Sequence, residues 1–224
     1  MTIRPAFALG PASLTDALYE AVRRRIINEE IRPGEKLTEA RLATEYGVAR
    51  PTAKACVERL VVVGLLQRSV HKSAVVPTLD ASDIEDLFIG REAVESASVR
   101  ILAAGADIPA AADRAQSDIE NATERGAYEQ IVAADIAYHR SLVAGTGSRR
   151  LMRMYELVVG EIELTMGRYS AYRAASRAST PREHAAILAA IRAGHPDAAV
   201  ERLRTHLVGA RQRLLTHISS EGVR

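Results

Sequence analysis

The chain has no tryptophan, two phenylalanines and an aromatic content of only 4%. Proteins that grip single-stranded nucleic acid or free bases stack them on aromatic faces, and this composition argues against such a platform. Cysteine is equally scarce. The single residue, Cys56, excludes an internal disulfide framework and fits a reducing compartment. No stretch approaches the roughly 20 apolar residues of a membrane span, and the first residues lack a basic segment followed by an apolar run. A soluble, cytoplasmic protein with no membrane partner is therefore expected. A large net charge is also missing, since the formal total is +2. The charge is uneven, however: residues 1–78 hold 12 Lys and Arg against 8 Asp and Glu, and the remainder holds 18 against 20. The basic excess therefore lies at the front, and 224 residues suffice for two modest domains.

What the front half does contain is the tract PGEKLTEARLATEYGVARPTAKACVERLVVVGLL, Pro33 to Leu66. Thr38 is placed to cap a helix from Glu39 to Tyr46 with Leu42, Ala43 and Tyr46 inward, and Gly47 sits where the chain must reverse. A second helix follows with Pro51 in its first turn. Its Ala53, Cys56, Val57 and Leu60 fall at i, i+3, i+4 and i+7, an apolar stripe that marks Cys56 as a core residue. This is a helix-turn-helix pattern. A helix packed by one stripe and fronted by cations at its amino end can lie in the major groove of duplex DNA, which makes Arg50, Thr52 and Lys54 candidate DNA contacts. On spacing alone, an ordinary amphipathic helix pair remains the alternative.

Around that tract, residues 1–12 form a loose arm by their two prolines and glycine. Ser13 can cap a first helix that buries Leu14, Leu18, Val22 and Ile26, with Arg23, Arg24 and Arg25 partly outward. After the helix pair, Leu65–Ser69 and Ala74–Val76 read as short strands of a wing-like hairpin. His71 and Lys72 at its tip could reach a minor groove or phosphate, although exposed turns are commonly polar.

These residues resemble the winged-helix domain of the GntR family of bacterial transcription regulators, over residues 13–76. The shared pattern is PGE-x-L, a helix, a GVSR-like turn, a reading helix and a GL return. The resemblance implies DNA contact by Arg50 and by Lys54, four residues on. This chain departs at Ala49, where serine is usual and a capping hydroxyl is lost, and at Lys54, which replaces an arginine and cannot form the same planar fork to guanine. Ala55 stands in place of glutamate and Ser73 in place of a wing glycine.

Residues 77–80 read as a linker, and from residue 81 to 219 the pattern is helical throughout. Six helices are expected, at roughly 81–105, 109–125, 127–145, 149–175, 181–194 and 196–219, joined by short loops into an antiparallel bundle. The fold class expected is thus mainly α, a winged helix-turn-helix domain followed by an all-α bundle. Asp135 and His139 are one helical turn apart and could chelate a cation or simply hydrogen-bond along the helix. His184 and His206 lie on two later helices that an antiparallel arrangement could bring to the same level.

Residues 80–219 resemble the FCD type of GntR effector domain, which shows R-x3-E in its first helix, D-x3-H in its third and two further histidines in its last two helices. The matching residues are Arg91 and Glu95, Asp135 and His139, His184 in REHAAIL and His206 in RTHLV. The resemblance implies that Asp135, His139, His184 and His206 hold a divalent transition metal, Zn²⁺ foremost, with Ni²⁺ or Mn²⁺ also compatible. It further implies that the metal anchors a small organic acid effector, whose remaining charge Arg91 would meet; a salt bridge to Glu95 is the competing role for Arg91. The expected protein is a homodimeric, ligand-responsive repressor, not an enzyme, bound to an inverted-repeat operator in double-stranded DNA. A metal-dependent hydrolase and a constitutive DNA-binding protein with a structural metal are the alternatives.

Overall fold

In the computed structural model, residues 13–68, 73–168 and 170–221 are described, the side chains of 167–179 and 217–221 excepted. The first helix, α1 (Leu14–Ile27), starts where Ser13 accepts the amide of Asp16 while the Asp16 carboxylate returns to the Ser13 amide. This reciprocal box satisfies two donors that a helix start leaves open. Leu18, Val22 and Ile26 are buried and Tyr19 joins them, whereas Leu14 is 62% exposed. The four-residue spacing therefore overextends by one turn, because the first turn of α1 lies beyond the core it packs on.

Helix α2 (Glu39–Tyr46) is capped by the Thr38 hydroxyl at its start and by Gly47 at its end. Gly47 has φ +63°, a left-handed conformation that glycine adopts without the usual Cβ clash. Helix α3 (Arg50–Val62) follows after only Val48 and Ala49, and it buries Ala53, Cys56, Val57 and Leu60 as the stripe requires. It packs against both α1 and α2. Arg59 ties α3 to α1 twice, with its guanidinium 3.9 Å from the centre of the Tyr19 ring and 2.6 Å from Asp16. Arg25 of α1 is committed within the fold as well, donating to Glu45 and to the Tyr46 hydroxyl.

The wing contains a strand not foreseen from the sequence. Strand β1 (Lys36–Leu37) lies just before the Thr38 cap of α2, and it pairs antiparallel with β2 (Ala74–Val75), Lys36 opposite Val75 and Leu37 opposite Ala74. The expected strand 65–69 contributes one bridge, Gln67 to Val75, through two hydrogen bonds of 2.8 and 2.9 Å. Leu37 and Ala74 are buried, so β1 serves to close the core beneath the wing. His71 and Lys72 lie outside the described residues.

The chain divides into two compact units, Met1–Thr78 and Leu79–Arg224. The second comprises α4 (Ala81–Ala104), α5 (Ala110–Arg125), α6 (Tyr128–Gly145), α7 (Arg149–Glu156), α8 (Val159–Arg168), α9 (Ser170–Arg192) and α10 (Pro196–Glu221). Helix α10 packs on α4 and α9, and α5 packs on α6. Two boundaries differ from the expected six helices. The helix expected over 149–175 breaks at Leu157 and Val158, where amide bonds to Met154 and Tyr155 three residues back tighten the chain. No glycine or proline marks that break. Conversely, α9 runs through Pro181, where a helix start is expected. The Pro181 carbonyl accepts a hydrogen bond from Gln116 of α5, which holds the segment against its neighbour.

One close approach fixes the bundle's packing. A Cβ added at Gly145 would lie 2.1 Å from Cγ of Pro109, a ring atom that cannot swing aside. Gly145→Ala is expected to lower stability by about 1–3 kcal/mol through forced overpacking, measured as a shift of the urea midpoint without change of slope.

Candidate metal centre and DNA-facing helix

Four helices of the bundle supply the polar core. Asp135 and His139 project from one face of α6, their spacing of four residues bringing them one above the other. His184 comes from α9 and His206 from α10, and all four side chains are buried. One potential ligand atom from each lies within 4.8 Å of the others. His184 Nε2 is 3.3 Å from His206 Nε2 and 3.5 Å from Asp135 Oδ1, and His139 Nε2 is 3.9 Å from Asp135 Oδ2. Bonds of about 2.0–2.1 Å to a tetrahedral zinc would set neighbouring donors about 3.4 Å apart. The four expected residues thus converge at the spacing a single cation requires.

Carboxylates behind the imidazoles decide which nitrogens face inward. Glu95 of α4, itself buried, accepts from His139 Nδ1 at 2.6 Å and from Arg91 Nε at 2.8 Å. Burial would raise its pKa, but Arg91 and then His139 outweigh that and hold it at about 2. An ionised carboxylate only accepts, so Nδ1 of His139 carries the proton and the Nε2 lone pair points at the cluster. That Nε2 is buried and has no hydrogen-bond partner, which is the state of a nitrogen suited to a cation. Glu183 orients His206 in the same way, 2.8 Å from its Nδ1. Tyr138 fixes the third ring, stacked on His184 at 4.1 Å between centroids, with its hydroxyl donating to the His184 carbonyl.

The surroundings also disfavour the charged form of His184 and His206. Burial, then the neighbouring His206 and His139, push the pKa of His184 well below its usual 6.5. Burial likewise lowers His206, against the opposing hydrogen bond from Glu183. Neutral imidazole is the form that binds metal.

Of the residues named from sequence, Arg91 makes the salt bridge to Glu95 on its own helix that its spacing allows. It is 3% exposed and its Nε is spent on Glu95. The roles of Glu183 and Tyr138, and of Glu95 toward His139, were not legible. Only a neighbour on the same helix has a readable spacing, whereas Glu95 and His139 are 44 residues apart and Glu183 and His206 are 23 apart.

In the first unit, Arg50 and Lys54 are exposed at the amino end of α3 and Thr52 is half-buried. Ala49 offers no side-chain cap there, so the expected loss of a capping hydroxyl is realised. Lys54 sits 3.7 Å from Glu58 in an open ion pair, a contact worth little in water.

A winged helix-turn-helix unit followed by an all-α unit defines a class, the two-domain bacterial DNA-binding regulator. Residues 14–76 match the bacterial regulatory proteins, gntR family, and residues 86–209, more than half the chain, match the FCD domain. The chain belongs to the GntR family, with an FCD domain, and is a DNA-binding transcription regulator. It is 25% identical over 211 residues to the helix-turn-helix-type transcriptional regulator YdhC of Bacillus subtilis (strain 168), covering 91% of this chain and 92% of that one. Its fold is shared with a GntR transcriptional regulator from Rhodococcus sp. RHA1, at TM-score 0.76 and 24% identity, over 92% of this chain and 99% of the other. It is also shared with E. coli McbR/YncC, at TM-score 0.70 and 19% identity, over 94% and 99%. Among the described residues no helix is long and apolar enough to cross a membrane.

Two outcomes test this electrostatic core. Glu95→Ala strands the buried Arg91 charge and is expected to cost about 3–5 kcal/mol in urea unfolding. Glu92→Ala, which opens the surface pair to Arg204, is expected to cost about 1 kcal/mol or less. In chelator-treated protein, His184 and His206 have folded pKa values below the unfolded 6.5. The native state then binds fewer protons, so their contribution to stability is complete above about pH 6.5 and declines as the pH falls below it. Melting temperature followed from pH 8 to pH 5 checks the sign.

Proposed function

We propose that the protein is a homodimeric repressor in which the bundle binds a divalent transition metal, Zn²⁺ foremost, and through it a small carboxylate effector. The observation that carries the reading is the convergence of Asp135, His139, His184 and His206, each buried, with Glu95 and Glu183 behind two of the imidazoles. Such outer carboxylates raise ligand basicity and fix the tautomer. A bound metal would supply a Lewis-acidic centre able to accept an effector carboxylate oxygen. The chain's own residues shape that place: the imidazoles of His139, His184 and His206 and the carboxylate of Asp135 would hold the cation, and Arg91 would add positive charge beside it.

At the other unit, Arg50, Thr52 and Lys54 would meet base edges or phosphate from the major groove, with His71 and Lys72 of the wing following the duplex. A symmetric dimer presents two such helices, so the operator is an inverted repeat. Effector control requires that the acid bind the DNA-competent and incompetent states with different affinity.

A second reading has one observation in its favour. Four protein donors already fill a tetrahedron, as in closed structural zinc sites. Metal content measured by plasma emission, followed by operator affinity with and without organic acids, separates the two. The effector reading expects operator affinity of the zinc-loaded protein to fall when the right acid is added, and a structural metal expects no change with any acid. Transcription from the same operator rises with that acid if the protein represses. His139→Ala is expected to lose bound metal. Arg50→Ala is expected to weaken binding to a selected operator by about 1–3 kcal/mol, read by mobility shift at fixed salt.

A further inference from the structure

The tyrosines of the bundle are treated unequally. Tyr138 places its hydroxyl on the His184 carbonyl, and Tyr128 places its own on the Met166 carbonyl at 2.7 Å. Tyr155 of α7 is fully buried, and its hydroxyl oxygen has no hydrogen-bond partner. Leaving a buried hydroxyl unmatched opposes folding, so its persistence in the polar core calls for a partner that the chain itself does not supply. Its location narrows what that partner is. Helix α7 packs against α4, which carries Arg91 and Glu95, and against α6, which carries Asp135 and His139. Burial first, then the negative charge of Glu95, keep the proton on the Tyr155 hydroxyl against the opposing pull of Arg91, with Asp135 adding to the effect of Glu95. It is therefore a neutral donor within the electrostatic reach of the metal-capable cluster.

Arg91 has one of its five N–H donors, Nε, engaged by Glu95 at 2.8 Å, so its charge is shared between that carboxylate and any acid bound beside it. We infer that Tyr155 is an effector-reading residue: its hydroxyl donates a hydrogen bond to an oxygen of the small carboxylate that binds beside the metal. The inference rests on the carboxylate reading above and adds to it the residue that senses the acid's arrival. Occupation of the site would convert an unmatched hydroxyl into a bonded one, so that acid binding stabilises α7 against α4 and α6.

The experiment uses full-length zinc-loaded protein, wild type and Tyr155→Phe, titrated calorimetrically with acetate, glycolate, lactate and citrate, with zinc content and ligand-free melting temperature measured alongside. The substitution removes one oxygen and keeps the ring. The expected result is zinc content unchanged, ligand-free melting temperature equal or higher, and affinity for the best acid reduced by about tenfold or more, the size for one hydrogen bond to a charged acceptor. An acid affinity in Tyr155→Phe equal to wild type overturns the role of Tyr155 while leaving the carboxylate reading intact. Loss of zinc in Tyr155→Phe also overturns it, since the hydroxyl would then serve the metal. Wild-type protein that binds none of the acids overturns both.

Discussion

A buried carboxylate with two cationic or cation-seeking neighbours is the constraint on which the bundle depends. Glu95 binds Arg91 along its own helix and His139 across to α6. Removing it would leave a guanidinium in a medium that solvates charge poorly and would free the His139 ring to turn. A single side chain thus couples the integrity of the fold to the orientation of a donor nitrogen. The cluster cannot be loosened for function without loosening the bundle.

The amino-terminal unit is held differently. Its apolar core is small, and its charged links are partly exposed: Arg41 reaches Glu35 and Glu45, Arg25 reaches Glu45, and Arg59 reaches Asp16. Such pairs contribute modestly in water, so the stability of this unit rests on Val22, Leu42, Val57, Leu60 and their neighbours. The paired arginines still matter for charge, because they leave Arg50, and Lys54 in its loose pair with Glu58, as the exposed cations at the amino end of α3.

Much of this was legible because the signals were local. Thr38 and Gly47 bracket α2 in the sequence as they do in the fold, and the α3 stripe follows from its spacing alone. The i,i+4 pair of Asp135 and His139 was likewise visible, and an antiparallel arrangement could bring His184 and His206 to its level, while their joint role as ligands came from likeness to a known family. What stayed hidden had no local mark. The break at Leu157 and Val158 falls in a run without glycine or proline, while Pro181 is carried inside α9 by helix-favouring alanines and a bond from Gln116. The short β1 strand exists only because Val75 finds it, and the Tyr155 hydroxyl is notable only for a partner it lacks.

Cys56 carries a practical consequence. It lies wholly within the α3 core, and burial pushes its thiol up to about 11, far from the thiolate form that reacts with alkylating or oxidising reagents. The native chain is therefore chemically silent toward thiol chemistry. A cysteine placed at an exposed position such as Val62 of the first unit or Ile89 of the second would be the sole reactive handle, so that fluorophores or spin labels could report on each unit in the otherwise unmodified protein.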